Sequence, residues 1–144
     1  RDDGRVVIQT YRVDDNAIKA VRDQKVAEFY ENELEIRKSL GFPPFTRLVA
    51  LTLRSRNEDS VRKASDELYL LLERVISKSG YSDVYVIGKN PCIIYKKASN
   101  FRYQILLSGE NFIHLNTIVK VSLERYHTPS NIYIEIDVDP LSLL

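Results

Sequence analysis

The sequence predicts an α+β fold of the split-βαβ, ferredoxin-like class, a sandwich with helices on one face of a sheet and an added hairpin. Two stretches, after Asn57 and after Asn111, carry apolar residues at helical spacing. Strand-like runs lie beside them, and a tight connection at residues 98–100 joins two of these runs. The order is βα, then β, a hairpin, then αβ, which is two βα units flanking a hairpin.

A strand and helices precede this fold. Residues 5–11 are β-branched and aromatic and predict a short strand. An Asp-Asp-Asn run caps a helix that begins near Ala17, and Gly41 ends a second helical stretch before two prolines. One strand and a helix pair cannot enclose a core. We therefore expect residues 1–41 to belong to a different part of a longer protein and residues 42–144 to form the α+β domain.

This domain begins with a strand and a long helix. Residues 47–54 predict a buried strand, Asn57 supplies the N-cap of the helix, and Gly80 supplies its stop. The apolar stripe of this helix recurs at a spacing of three or four: Val61, Ala64, Leu68, Leu71, Leu72 and Val75.

Three further strands and a second helix follow. Residues 83–88 and 92–97 predict two strands, and residues 101–108 predict a strand that returns after the tight connection. Asn111 caps the second helix. The apolar residues of that helix lie on or near one face: Phe112, Leu115, Val119 and Tyr126.

The closing strand shows the clearest alternation in the chain. Apolar Ile132, Ile134, Ile136 and Val138 alternate with Tyr133, Glu135, Asp137 and Asp139 in a run that continues to Leu141. This period of two predicts a half-buried strand inside a sheet. Pro140 ends the ladder because it has no N–H to donate.

Composition excludes several classes of protein. The net charge of the 144 residues is +1, so any basic surface for nucleic acid must be local. A single cysteine, Cys92, precludes an internal disulfide and favours a reducing, cytoplasmic compartment. No apolar run approaches the length of a membrane span, and the first residues have no signal-peptide core. The missing initial Met suggests a piece of something longer.

Catalytic and metal-binding motifs are not found. The chain has no GxxxxGK[ST] or GxGxxG phosphate cradle and no GxSxG elbow. His114 and His127 have no ligand partners at suitable spacing, and Cys92 is interpreted as a small buried hydrophobe. Asp137 and Asp139 could pair around Mg²⁺, but solvated carboxylates or an Asx contact near the proline explain them without metal.

The hairpin around residues 95–104 is the best candidate for a binding function. It combines cations with rings: Lys96, Lys97 and Arg102 with Tyr95, Phe101 and Tyr103. Cations that neutralise phosphate beside rings that stack bases form a platform for single strands. Alternation puts Arg102 on the face opposite Phe101 and Tyr103, so only one of these sets can lie in the core. A purely structural hairpin is the alternative.

Five segments of the chain carry a family resemblance. They are GRVVIQTY at 4–11, FYE at 29–31 with EL at 33–34 and Arg37, LGFPPF at 40–45, RYQ at 102–104 and DVDP at 137–140. In this order and spacing they resemble the C-terminal part of the PriA (primosomal protein N′) family of bacterial replication-restart DNA helicases. The resemblance extends over essentially the whole chain.

The resemblance implies a part without catalysis in an ATP-dependent 3′→5′ helicase. Residues 1–41 would be the end of the second helicase lobe with its connecting helices, and residues 42–144 a C-terminal domain similar to a ribosomal protein of split-βαβ type. The family's ATP and Mg²⁺ site and its zinc-binding cysteines have no counterpart in this sequence. We therefore expect no cofactor and no catalytic residue in this part of the protein.

The family also implies sites for DNA and for protein partners. Its C-terminal domain contacts forked or single-stranded DNA and helps to bind the acidic tail of single-stranded DNA-binding protein, beside other primosome proteins. Lys96 and Arg102 match basic positions of the family, and Lys97 and Tyr103 complete the predicted DNA contacts. Asn116 stands where the family has a Gln in the tail pocket. A family Arg of that pocket falls at Phe112, which cannot bind an anion.

Two other classes remain as alternatives. A regulatory ferredoxin-like module usually has a glycine-permissive turn after its first strand, and residues 55–59 contain no glycine. A stand-alone RNA-binding βαββαβ module would have a glycine in its central aromatic run, and residues 101–105 have none.

Overall fold

The computed structural model describes residue 4 and residues 6–140, and the chain divides into two compact units, Arg1–Leu40 and Gly41–Leu144. The first unit contains helices α1 (Asn16–Arg22) and α2 (Val26–Ser39). Asp15 caps α1 by accepting a 2.9 Å hydrogen bond from the backbone N–H of Ala17, as the sequence predicts. Within the described part of this unit, Ala20 is the one buried hydrophobic residue.

The strand predicted at residues 5–11 is not found, which corrects that prediction. Residues 6–11 adopt no strand, and Val6 and Val7 are 89% and 90% exposed. Arg5 lies outside the described residues. A strand is stable only where a neighbour satisfies its N–H and C=O groups, and no described residue pairs with this segment.

The second unit contains four strands and two helices. In chain order these are β1 (Arg47–Ser55), α3 (Glu58–Ser79), β2 (Val84–Lys97), β3 (Asn100–Gly109), α4 (Phe112–Arg125) and β4 (Tyr133–Val138). The strands form one antiparallel sheet in the order β2-β3-β1-β4. Both helices pack on one face of this sheet. The predicted α+β, ferredoxin-like fold is confirmed.

Side-chain caps define both helices of the domain. Asn57 accepts a 2.8 Å hydrogen bond from the backbone N–H of Ser60 at the start of α3, and Asn111 does the same for Ile113 in α4. Gly80 ends α3 in the left-handed conformation with φ 76°, which costs a glycine little. Because these signals are local, the sequence alone locates both helices correctly. No described helix is long and apolar enough to cross a membrane.

The core lies between the helices and the central strands. Leu51 and Leu53 of β1 and Ile105 and Leu107 of β3 are fully buried. The predicted stripe of α3 packs against them, although Leu71 is only partly buried. Since β1 and β3 are the inner strands, each has a neighbouring strand on both sides, and the side chains of these neighbours flank its helix-facing side chains.

The two strands predicted at residues 83–88 and 92–97 are one strand, β2. Its pairing with β3 continues across two bulges, one between Val86 and Gly88 and one between Pro91 and Lys96. The sequence suggests a break because Gly, Asn and Pro separate the two apolar runs. On an edge strand these residues are tolerated, since one side of the strand needs no partner and a register shift interrupts the ladder only locally.

The closing strand is less buried than its alternation predicts. Ile132 is buried, but Ile136 and Val138 are 53% and 43% exposed. The strand β4 is the edge of the sheet, and α4 packs on β3 and β1. Helix α4 therefore covers these two side chains incompletely, and the expectation of a half-buried strand is wrong for Ile136 and Val138.

Asp139 fastens the end of β4 to the start of β1. Its Oδ1 accepts a 3.1 Å hydrogen bond from the backbone N–H of Leu48, and its Oδ2 accepts one of 2.7 Å from Arg47 Nε. Its own N–H donates to the carbonyl of Leu48 at 2.8 Å, and its φ is 51°. Asp137 is exposed. The Asp139 carboxylate thus binds the distant strand β1, and it makes neither the predicted local Asx contact near Pro140 nor a purely solvated carboxylate. Leu141 lies outside the described residues.

Candidate nucleic-acid interface

The hairpin between β2 and β3 closes in a two-residue turn. Lys97 pairs with Asn100, and the two residues between them, Ala98 and Ser99, both have positive φ, 48° and 62°. This is the backbone of a tight hairpin turn whose twist matches that of the strands. It fixes which side chains of the hairpin share a face of the sheet.

The aromatic residues of the hairpin belong to the packed side of the sheet. Phe101 and Tyr103 contact the core, and Tyr95 meets them edge-on, at 5.5 Å and 5.8 Å between ring centroids. A hydrogen bond with Glu58 raises the pKa of Tyr95, so its phenol stays protonated. Tyr103 is therefore partly buried and in contact with another ring and with the core.

The four predicted contact residues lie on two sides of the sheet. Lys96 is paired with Phe101, and its Nζ lies 4.7 Å from the centroid of that ring, on the side of the aromatic cluster. Lys97 and Arg102 lie on the opposite, helix-free face. The sheet thus brings Lys97 and Arg102 together and separates them from Lys96 and Tyr103.

Arg102 is one member of a row of three side chains across the helix-free face. It lies opposite Arg54 of β1, and Arg54 lies opposite Tyr133 of β4. The Arg54 guanidinium lies 4.8 Å from the centroid of the Tyr133 ring. Its Nε is 2.6 Å from Glu135 Oε1, close enough for an ion pair but bent away from a linear hydrogen bond. We call Arg102, Arg54 and Tyr133 the arginine–tyrosine row.

A polar depression of about 470 Å³ lies beside this row. It is formed where β1 ends, where β3 begins and where the chain enters β4. Besides Arg54 and Tyr133 it is lined by Ser55, Arg56, Asn57, Asn100, Ser130 and Asn131. Arginine and amide side chains around a concavity can hold an anion such as a phosphate.

Three cations at this end of the sheet form no ion pair with a described residue. Arg54 is paired with Glu135, and the nearby Asp59 is paired with Arg62. No carboxylate among the described residues forms an ion pair with Arg56, Lys97 or Arg102. In a chain of net charge +1, this is a local concentration of free cations.

Sequence reasoning did not find Arg54, Arg56 and Tyr133. Arg54 and Tyr133 are far apart in the chain and meet only through the pairing of β1 with β4. The alternation of β1 could have indicated Arg54, because it places this cation on the face of the strand opposite to Leu51 and Leu53. Cys92, in contrast, is buried as predicted, and burial raises the pKa of its thiol.

Comparison with known families identifies the domain. Residues 38–141 match the family described as the primosomal protein N C-terminal domain. The chain belongs to this family. In this chain the match to the PriA C-terminal domain begins in the last turn of α2 and ends three residues after β4.

Full-length relatives agree with this assignment. The replication restart protein PriA of Borreliella burgdorferi is 31% identical over 144 residues, which are 100% of this chain and 21% of that protein. PriA of Treponema pallidum is 32% identical over 143 residues, 99% of this chain and 21% of that protein. A de novo designed protein with a ferredoxin fold aligns with a TM-score of 0.49 and 15% identity over 67% of this chain and 86% of its own. The chain spans about a fifth of the length of the two PriA relatives.

The predicted partner-binding residue of this PriA domain, Asn116, is exposed on α4. It lines a shallow groove between α4 and β4 together with Val119, Lys120, Leu123, Glu124 and Ile136. Phe112 lies nearby on the same helix, and the Arg47 guanidinium is 4.8 Å from the centroid of its ring. Arg47 therefore places a cation beside Phe112, but this guanidinium already forms a hydrogen bond with Asp139.

His114 is not a free surface residue. Its Nδ1 lies 2.8 Å from Asp83 Oδ1, and its ring stacks on Tyr81 with 4.0 Å between centroids. Asp83 also accepts a hydrogen bond from the backbone N–H of Asn111, which is the main cause of its lowered pKa. This arrangement ties the start of α4 to the loop before β2. It requires no ligand to explain it.

Proposed function

We propose that this PriA domain supplies DNA contacts to a replication-restart helicase, through the cationic end of its sheet. The observation that carries the proposal is a group of three cations without ion-pair partners among the described residues. Arg56 lines the polar depression, and Lys97 and Arg102 are the cross-strand neighbours of Asn100 and Arg54, which also line it. Cations in such an arrangement gain most from the phosphates of a nucleic-acid backbone. ATP-driven 3′→5′ unwinding, and the ATP, Mg²⁺ and zinc that it involves, would belong to other parts of the parent protein.

The proposal explains why the cations are not neutralised within the domain. Cross-strand neighbours of like charge destabilise a sheet, and Arg54 lies directly opposite Arg102. Glu135 offsets only one of these two charges. A bound phosphate would offset the other and would release counterions into solution, which makes binding depend on salt.

Reversal of two charges on the helix-free face tests the proposal. We expect Lys97→Glu with Arg102→Glu to weaken the binding of forked and single-stranded DNA by about tenfold or more. For single-stranded DNA, the slope of log K against log salt should become less negative by about 1.4 if two phosphate contacts are lost. Fluorescence anisotropy with labelled DNA, measured at several salt concentrations, gives both quantities.

A matched control separates local contacts from net charge. Arg74→Glu with Lys78→Glu makes the same change in charge on exposed positions of α3 outside the proposed site. It should weaken binding by less than about threefold. Equal losses for both double variants, or no loss for either, would remove the hairpin from the DNA-binding site. Circular dichroism of each variant verifies that the domain remains folded.

We further propose that the groove between α4 and β4 binds the acidic tail of single-stranded DNA-binding protein. Its apolar walls, Val119, Leu123 and the exposed Ile136, suit an apolar tail residue. Lys120 supplies a cation, and Asn116 supplies an amide. Lys120 would thus bind the tail carboxylates, which Phe112 cannot bind. Other primosome proteins would bind elsewhere on the parent.

The tail proposal predicts a charge-dependent interaction at α4. Lys120→Glu should weaken the binding of a labelled acidic tail peptide by about fivefold, since one exposed ion pair is replaced by repulsion. Lys63→Glu on α3 makes the same substitution at an exposed position outside the groove and should have no effect. Peptide binding that is indifferent to Lys120 would exclude the groove.

A further inference from the structure

We propose that Tyr133 is a stacking site for an unpaired base of single-stranded DNA. In this arrangement Arg54 supports the ring from behind, and Arg56, Lys97 and Arg102 hold the adjacent phosphates. The proposal rests on the DNA-binding function above and adds the form of DNA that the site selects, a strand with accessible bases. It assigns a role to Tyr133 that the hairpin residues cannot fill.

The ring of Tyr133 is available on the helix-free face. Its side chain is 58% exposed, on the edge strand β4. The Arg54 guanidinium covers one face of the ring at 4.8 Å, and no other described aromatic ring contacts it. A ring held by a cation on one side and open on the other offers a flat surface to a base, and every base has a π-face that can use it.

The other rings at this end of the sheet are already occupied. Phe101, Tyr103 and Tyr95 form an edge-on cluster against the core, and Lys96 lies over Phe101. All three rings are partly buried, whereas Tyr133 is 58% exposed. Tyr133 therefore supplies the aromatic surface that a platform for single strands requires beside its cations.

Cations and amides surround Tyr133 on the side of the depression. Tyr133, Arg56, Asn100 and Asn131 line the same concavity, and Lys97 is the cross-strand neighbour of Asn100. A strand whose base stacks on the ring would bring its flanking phosphates toward these cations. Amides can donate or accept hydrogen bonds at a base edge, but a mixed set of this kind favours no particular base.

A tryptophan reporter tests the stacking directly, since the chain contains no tryptophan. We expect Tyr133→Trp to retain binding and its emission to be quenched when an oligothymidylate is added. An abasic strand of the same length carries the phosphates without bases and should leave the emission unchanged. Tyr85→Trp is the control: Tyr85 is 44% exposed and lies at the end of β2 far from the hairpin turn. Its emission should not be quenched by the oligothymidylate or by the abasic DNA.

Affinity measurements separate this proposal from the general one. Tyr133→Ala should weaken oligothymidylate binding about tenfold without a change in the salt slope, and Tyr133→Phe should bind as the unaltered chain does. Binding that is weakened by Lys97→Glu with Arg102→Glu but unaffected by Tyr133→Ala would overturn the stacking site alone. Equal quenching by the oligothymidylate and the abasic strand would also overturn it. A chain that binds no DNA at all would overturn both proposals.

Discussion

Leu51→Ala is expected to lower the free energy of unfolding by about 3 kcal/mol. Leu51 is 0% exposed, on the inner strand β1, between Ile105 of β3 and Ile136 of β4. Removing its branched end takes apolar surface from the core and leaves a cavity that two flanking strands and two helices cannot readily close. Urea unfolding followed by circular dichroism measures the change.

Leu70→Ala is the matched control for this substitution. Leu70 lies on α3 and is 53% exposed, so its truncation removes little buried surface. Its cost should stay below about 0.5 kcal/mol, partly because alanine is the better helix former. If the two variants unfold at the same urea concentration, the strand β1 does not lie at the centre of the core.

Asp139→Ala is expected to lower the free energy of unfolding by about 2 kcal/mol at neutral pH. The substitution removes the acceptors for Arg47 Nε and for the backbone N–H of Leu48, and it leaves an alanine at φ 51°. The ionic part of this cost is small, because both side chains are more than a third exposed. Asp137 lies two residues away and is exposed, so Asp137→Ala should leave the free energy of unfolding nearly unchanged.

The same carboxylate predicts how stability depends on pH. The hydrogen bond from Arg47, followed by that from Leu48, lowers the pKa of Asp139 below its ordinary value. A lowered folded-state pKa means that its contribution is complete above about pH 5 and is lost as pH falls through the lowered pKa. Asp139→Asn keeps one acceptor and tolerates the positive φ, so its urea midpoint should change less between pH 6 and pH 3. An equal loss for both proteins would contradict this role.

The sequence predicts those parts of the fold that depend on neighbouring residues. Asn57 and Gly80 act within one turn of the ends of α3, and the turn at Ala98 and Ser99 connects residues that are adjacent in the chain. The apolar period of α3 already shows which face packs on the sheet. These features are local, so a pattern is sufficient to recognise them.

The features that depend on distant partners could not be predicted in this way. The continuity of β2 through Pro91 depends on its pairing with β3, and the exposure of Ile136 depends on which strands α4 packs against. The candidate site is divided in the same manner. Alternation separates Arg102 from the hairpin aromatics, but only the register of β1 with β4 brings Tyr133 next to Arg54.

The order of the strands has a consequence for how the chain folds as a ribosome synthesises it. The strand β1 is made early, yet one of its neighbours is β4, and Asp139 contacts Leu48 across 91 positions of sequence. Until β4 emerges, one side of β1 exposes unpaired N–H and C=O groups that other nascent chains could capture. Completion of the sheet must therefore wait for the end of translation of this domain, which makes the half-built sheet the stage most prone to misassembly.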